Sequence, residues 1–178
     1  RSAELWRKDG ACYVRCEVCS LVYENPRFTA EELKEFYSSE SYYVQRGGPG
    51  GPTSGYTDYF AQCSPAILAE YFALLRGVAT APRGVRYLDV GCGPGGLLEI
   101  AGHAGWDPTG LELSRWSGER GRERGLRIVE GTLEQAAFPD ESFDVISLFD
   151  VLEHLPHPVT YVRELHRILR SGGVVLAE

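Results

Sequence analysis

No apolar run in the 178-residue chain approaches the roughly 20 residues that a bilayer span needs, so no membrane partner is expected. Basic residues are not in excess: 18 Lys and Arg stand against 25 Asp and Glu, a net charge of −7. That balance gives no reason to expect a nucleic-acid partner. The richest basic stretch, Arg115 to Arg127, is interleaved with Glu119 and Glu123 and reads as a solvated helix face. Methionine is absent and the first residue is Arg1. The expectation is therefore that the sequence does not begin where translation does, and targeting signals are not read from it. An even, dispersed set of cysteines is also missing. Of five, Cys12, Cys16 and Cys19 crowd together, and Cys63 and Cys92 stand apart. This excludes a disulfide scaffold and points to a reducing cytoplasm. No internal repeat, Ser-His-Asp set or carboxylate dyad stands out. What remains is globular in composition, 43% hydrophobic and 24% charged, and long enough for one domain plus an appendage.

Three segments follow. Residues 1–40 form a small cysteine-containing unit. Tyr13-Val14-Arg15 and Leu21-Val22-Tyr23 predict short strands around Cys16-Glu17-Val18-Cys19. Thr29 with Glu32 three residues on predicts a capping box, ahead of a helix bearing Leu33, Phe36 and Tyr37. Residues 41–82 form a cap. Its Gly-Pro-rich loop at 47–55 is flanked by Tyr42, Tyr43, Tyr56 and Tyr59. A helix opens at Pro65, carries Ile67, Leu68, Tyr71, Phe72 and Leu75 on one face, and ends at Gly77 and Pro82. Residues 83–178 alternate strand and helix. Strands are predicted at Val85–Val90, Thr109–Leu113, Leu126–Glu130, Phe143–Phe149 and Val174–Ala177, with helices at Leu97–Ala104, from Ser114 to Arg124, and from Pro158 to Gly172-Gly173. The last helix carries a stripe of Val159, Val162, Leu165, Ile168 and Leu169. Such alternation predicts an α/β, doubly wound, mostly parallel sheet.

The strongest chemical signal is Leu88-Asp89-Val90-Gly91-Cys92-Gly93-Pro94-Gly95-Gly96, where a strand turns into a helix. Glycines there admit a ligand close to the backbone, and a helix N-terminus adds N–H groups. The G-x-G-x-x-G spacing alone fits a dinucleotide site. Asp89 sharpens the reading, because a carboxylate there repels a pyrophosphate and attracts an ammonium group. Glu112 ends the next strand, where an acid accepts hydrogen bonds from ribose hydroxyls. The ligand implied carries a ribose and a cationic amine.

Together with Gly110-Leu111-Glu112-Leu113-Ser114, Phe143-Asp144-Val145-Ile146, Leu152-Glu153-His154-Leu155 and Leu169-Arg170-Ser171-Gly172-Gly173, the glycine turn resembles the successive motifs of class I S-adenosylmethionine-dependent methyltransferases, over residues 85–178. The resemblance implies a Rossmann-like sheet of seven strands. Asp89, Gly91, Cys92, Gly93 and Gly95 would then hold the methionine moiety, Glu112 the ribose, and Leu113 would lie along the adenine. Phe149 and Asp150 would flank the sulfonium. Where the family often has an acid for the adenine amino group, this chain has Thr132 followed by Leu133, so a hydroxyl or backbone groups would serve. The family fold continues past a fifth strand. The chain stops at Glu178, so either the polypeptide is longer or a partner chain covers that edge.

Residues 15–27 resemble the second half of a zinc ribbon that precedes the domain in some family members. Cys16 and Cys19 would be half of a structural zinc site, with Cys12 as a possible third ligand. The alternative is free thiols without metal. Asp150, Glu153 and His154 fall within one turn after the fourth strand. His154 is open to three readings: it orders the loop, acts as general base, or starts a divalent-metal site. The function expected is methyl transfer from S-adenosylmethionine to a small-molecule acceptor by in-line displacement. A nicotinamide-dependent oxidoreductase and a non-catalytic S-adenosylmethionine-binding module are the alternatives.

Overall fold

A computed structural model describes residues 1–8, 11–27, 29–38, 65–79, 81–155 and 157–178. The glycine-proline loop, its flanking tyrosines and Cys63 lie outside the described residues. The chain divides into two compact units, Arg1–Leu33 and Lys34–Glu178. The first boundary thus falls inside a helix, a few residues before the position at which the sequence was divided.

The first unit is an antiparallel sheet of β1 (Ser2–Lys8), β2 (Ala11–Cys16) and β3 (Val22–Glu24), in that order. β1 has no sequence counterpart among the predicted strands. It is fixed across the sheet, where Trp6 stacks on Tyr13 with ring centroids 4.2 Å apart. After β3 the predicted capping box is present. The Thr29 N–H donates to Glu32 Oε2 (2.7 Å) and the Glu32 N–H to Thr29 Oγ1 (3.2 Å), which opens α1 (Ala30–Ser38).

The second unit contains α2 (Pro65–Val78), then β4 (Arg86–Val90), α3 (Gly96–His103), β5 (Asp107–Glu112), α4 (Arg115–Glu123), β6 (Ile128–Glu130), α5 (Leu133–Ala136), β7 (Phe143–Leu148), a 3-10 turn at Leu152–His154, α6 (Pro158–Ile168) and β8 (Leu169–Ala177). Every pairing is parallel, in the order β6-β5-β4-β7-β8. This is the doubly wound, Rossmann-like sheet that the alternation of strands and helices predicts. Because strand side chains alternate, β4 feeds two cores. Val85 and Tyr87 join Phe72, Leu75, Leu98 and Trp106 on one face. Leu88 and Val90 join Leu111, Ile146, Tyr161, Leu165 and Ile168 on the other. Chain order reverses between β4 and β7, which puts a crevice at their C-terminal ends.

Three details differ from expectation. α2 runs through Gly77 to Val78. α6 faces the sheet with Tyr161, Leu165 and Ile168, while Val159 and Val162 are exposed. Its helix ends at Ile168, and not at the glycine pair, because Leu169 already pairs with Phe143. Arg170 reaches the Asp144 carboxylate at 2.7 Å, and Gly173 lies so close to the Asp144 carbonyl that a Cβ would come within 2.9 Å of it. The glycines therefore belong to an irregularity inside β8.

Candidate functional site

The turn from β4 to α3 is held from both sides. Gly91 and Cys92 donate their N–H groups to the Leu111 carbonyl (2.8 and 3.2 Å) and Gly95 donates to the Cys92 carbonyl (2.9 Å). Gly93 donates to Glu112 Oε2 at 2.8 Å. Pro94 has no N–H, so every N–H from Gly91 to Gly95 is consumed inside the protein. The turn is not a phosphate cradle, contrary to what its glycine spacing alone suggests. Its glycines serve backbone shape and close packing. Gly91 has φ +72° and a Cβ there would stand 2.4 Å from Val151 Cγ2, while Gly95 has φ +88° and a Cβ there would meet Leu126 Cδ1 at 2.6 Å.

Glu112, at the tip of β5, is buried. It accepts from Gly93 N–H through Oε2 and from Ser114 N–H through Oε1 (2.7 Å). Ser114 is fully buried and caps α4 by accepting the Ser117 N–H, so the carboxylate ties the glycine turn to the start of the next helix. Leu113 is half-buried beside it.

Asp89 is the unusual group. It is 4% exposed and continues the row that places Val85 and Tyr87 on one face of β4. Its register partner on β7 is Ser147, whose hydroxyl donates to Asp89 Oδ1 at 2.6 Å. Tyr87 Oη lies 2.6 Å from Ser147 Oγ. The serine proton is directed at the carboxylate, so Tyr87 donates to the serine oxygen. No lysine, arginine or histidine of the described residues pairs with Asp89. Burial, reinforced by the neighbouring Glu112, pushes its carboxyl up to about 7, against the Ser147 and Tyr87 hydroxyls, which favour the ionised form. A buried acid without a cation of its own fits a ligand that brings one.

A cleft of about 840 Å³ opens from this acid. Asp89, Gly91, Cys92, Phe149 and Asp150 line one end, the first turns of α2 contribute Leu68 and Tyr71, and Arg120 and Glu123 of α4 line another part. Tyr71 stacks on Phe149 with centroids 4.1 Å apart and planes 6° apart, which makes an aromatic wall beside the carboxylate. Asp150 is exposed, with φ +54°. Burial pushes the Cys92 thiol well above its usual range, which removes it as a nucleophile.

The remaining predicted residues are placed as follows. Thr132 is the N-cap of α5, with its hydroxyl accepting the Gln135 N–H and Gln135 Oε1 accepting the Thr132 N–H. The side chain of Leu133 is fully buried, so only its backbone is available to a ligand. His154 is half-exposed. Its Nε2 stands 3.8 Å from Glu153, its ring meets Tyr37 edge-on at 5.7 Å, and it is not among the residues lining the cleft. Among the described residues no three His, Cys, Asp or Glu side chains converge to hold a metal ion. The 3-10 turn brings Glu153 near His154 but gathers no third ligand with them, which does not support the divalent-metal reading of Asp150, Glu153 and His154. The same holds for a three-thiol site. Cys12 is buried in the sheet, Cys16 half-buried and Cys19 exposed, although the backbone N–H groups of Cys19 and Val18 hold the Cys16 thiol below its usual range.

Ser147, Tyr87, Tyr71 and Leu68 belong to the site but were not singled out for it from the sequence. The fold and the site define an α/β domain in which a buried carboxylate opens on a cleft beside a glycine turn that is no phosphate cradle. Residues 88–177 match the family model described as Methyltransferase domain, and the chain belongs to that family. A ubiquinone biosynthesis O-methyltransferase of Methylococcus capsulatus is 35% identical over 103 residues, covering 54% of this chain and 44% of the relative. A sterol 24-C-methyltransferase of Gibberella zeae is 37% identical over 100 residues, covering 51% and 26%. The solved structure of an S-adenosylmethionine-dependent methyltransferase from Mesorhizobium loti superposes with TM-score 0.52 at 27% identity, covering 58% of this chain and 50% of that one. The chain spans less than half the length of these two curated relatives.

Proposed function

We propose that the protein is an S-adenosylmethionine-dependent methyltransferase acting on a small-molecule acceptor. The observation that carries this is Asp89, a buried carboxylate without a cationic partner among the described residues, opening on a cleft beside a glycine turn whose N–H groups are already used. When bound, S-adenosylmethionine supplies a methyl group made electrophilic by its sulfonium. Asp89 faces the ligand amine, and Glu112, at the tip of β5, accepts ribose hydroxyls. Leu113 and the Thr132–Leu133 backbone border the adenine. Phe149, with Tyr71 stacked on it, excludes water, and Phe149 and Asp150 flank the place of the sulfonium. In-line transfer needs alignment and desolvation more than acid–base machinery. Where the acceptor must lose a proton, His154 is the side chain proposed to take it.

The names of the relatives, a ubiquinone biosynthesis O-methyltransferase and a sterol 24-C-methyltransferase, support an apolar small molecule, in keeping with the Leu68, Tyr71 and Phe149 wall. For the first unit, the zinc-ribbon resemblance makes Cys16 and Cys19 two of four proposed zinc ligands. Metal analysis of the purified protein before and after Cys16→Ser tests it, and no zinc in either sample refutes it.

Calorimetry with S-adenosylmethionine, S-adenosylhomocysteine and NAD, followed by turnover on a panel of phenolic and isoprenoid acceptors, tests the main reading. NAD binding with no binding of either sulfur nucleoside would refute it in favour of an oxidoreductase. Binding without turnover on any acceptor would favour a non-catalytic module.

A further inference from the structure

The β4–β7 register creates a buried chain of three side chains. Tyr87 and Ser147 are fully buried and Asp89 nearly so. Tyr87 donates to Ser147 and Ser147 to Asp89 Oδ1, each over 2.6 Å. Tyr87 and Asp89 are two residues apart on one strand face, and Ser147 is the direct partner of Asp89 on the next. The hydrogen bonds therefore follow from register and need no loop to hold them. The Ser147 hydrogen bond engages Oδ1 of Asp89, and the carboxylate lines the cleft. Among the described residues the groups facing Asp89 are Tyr87 on its own strand, Ser147 on β7, Glu112 on β5 and Cys92 in the turn. None of them is a cation.

Resting on the function proposed above, we infer that this chain makes cofactor capture proton-coupled: Asp89 sheds a proton to solvent when a cationic amine enters the cleft, and Ser147 and Tyr87 are the positioning residues that set how readily it does so. The balance is simple. A protonated Asp89 and a ligand ammonium become a carboxylate–ammonium pair plus one proton in solution. No bond to carbon changes and no co-reactant is needed. With its proton on Oδ2, Asp89 still accepts from Ser147 at Oδ1, so the same geometry serves both states. The nearby Glu112 favours the protonated resting state, because two carboxylates in one buried site resist ionising together.

Calorimetry at pH 7 in phosphate and in Tris separates proton release from binding heat. The probes are S-adenosylhomocysteine, which carries the amine, and 5′-methylthioadenosine, which does not. A carboxyl titrating at about 7 predicts release of roughly half a proton with the first ligand and none with the second. Ser147→Ala removes a hydrogen bond to the charged form. It is expected to weaken S-adenosylhomocysteine about fivefold at pH 7, with affinity recovering to within about twofold by pH 8.5. 5′-Methylthioadenosine is expected to bind the variant as it binds the parent. Tyr87→Phe keeps the packed ring and is expected to shift the same profile by less. A merely structural role would weaken both ligands at every pH. Equal proton release for the two ligands, or an unchanged pH profile in both variants, overturns the inference and leaves the methyltransferase reading standing. If neither ligand binds the parent protein, that reading falls and takes this one with it.

Discussion

Asp89 imposes a cost on the ligand-free protein that can be measured without any ligand. Its carboxyl is pushed from an ordinary 3.8 to about 7 by burial. The sign follows from linkage: the folded state holds this proton over a pH range in which the unfolded chain has lost it. The contribution to stability is therefore complete below pH 3.8 and is lost as pH rises to about 7. Integrating between those limits, the loss is about 2 kcal/mol at pH 5.5 and about 4 kcal/mol at pH 8. Asp89→Asn keeps an acceptor for the Ser147 hydroxyl and removes the titration. Urea unfolding of both proteins at pH 5.5 and pH 8, followed by tryptophan fluorescence, should show the parent losing about 2 kcal/mol relative to the variant. Taking the difference cancels every other group that titrates in both. A stability difference that is the same at the two pH values would refute the reasoning, since it would mean that Asp89 is ionised throughout and already compensated.

Other perturbations act on the frame around this acid. Gly91→Ala combines a positive φ with a Cβ 2.4 Å from Val151 Cγ2; the variant should be markedly less stable in urea titration, and Val151→Ala in the same chain should restore all but about 1–2 kcal/mol, the strain of a left-handed residue. Glu112→Gln places an amide where two N–H donors, from Gly93 and Ser114, need acceptors; one is left unsatisfied, and a loss of about 1–3 kcal/mol is expected by the same titration. Thr132→Ala removes the capping box of α5 and should cost about 1 kcal/mol, which Thr132→Ser should largely return. His154→Ala should leave S-adenosylhomocysteine affinity unchanged by calorimetry and lower turnover if His154 is the base; undiminished turnover removes that role.

Local chemistry made much of the fold legible. The Thr29–Glu32 box, the Ser114 cap and Pro158 at the first position of α6 each announce a helix start through its own side chains. The elements that were missed draw their support from elsewhere. β1 carries a weak alternation and exists because Trp6 finds Tyr13 and the backbone finds β2. α5 is four residues long, too short for any periodicity, and its one signal was the pair Thr132 and Gln135. The end of α6 was misplaced because glycines read as a helix stop, whereas here they accommodate the close approach of β8 to Asp144.

The site divides along the same line. Asp89 and Glu112 are visible as acids at strand tips, because a motif fixes their positions in the chain. What gives Asp89 its character is not in the motif. Ser147 sits between Ile146 and Leu148 and looks like one more residue of a buried strand. Only the pairing of β4 with β7 makes it the partner of Asp89, and only the two-residue period of β4 brings Tyr87 to the same face. A one-residue slip of β7 would turn Ser147 to the opposite core and leave the carboxylate without its donor. Sheet register, which depends on how whole strands pack, thus sets the charge state of a group that a local motif had already placed. An acid at this strand tip in another chain, without a hydroxyl at the matching position of the neighbouring strand, should hold its proton to higher pH.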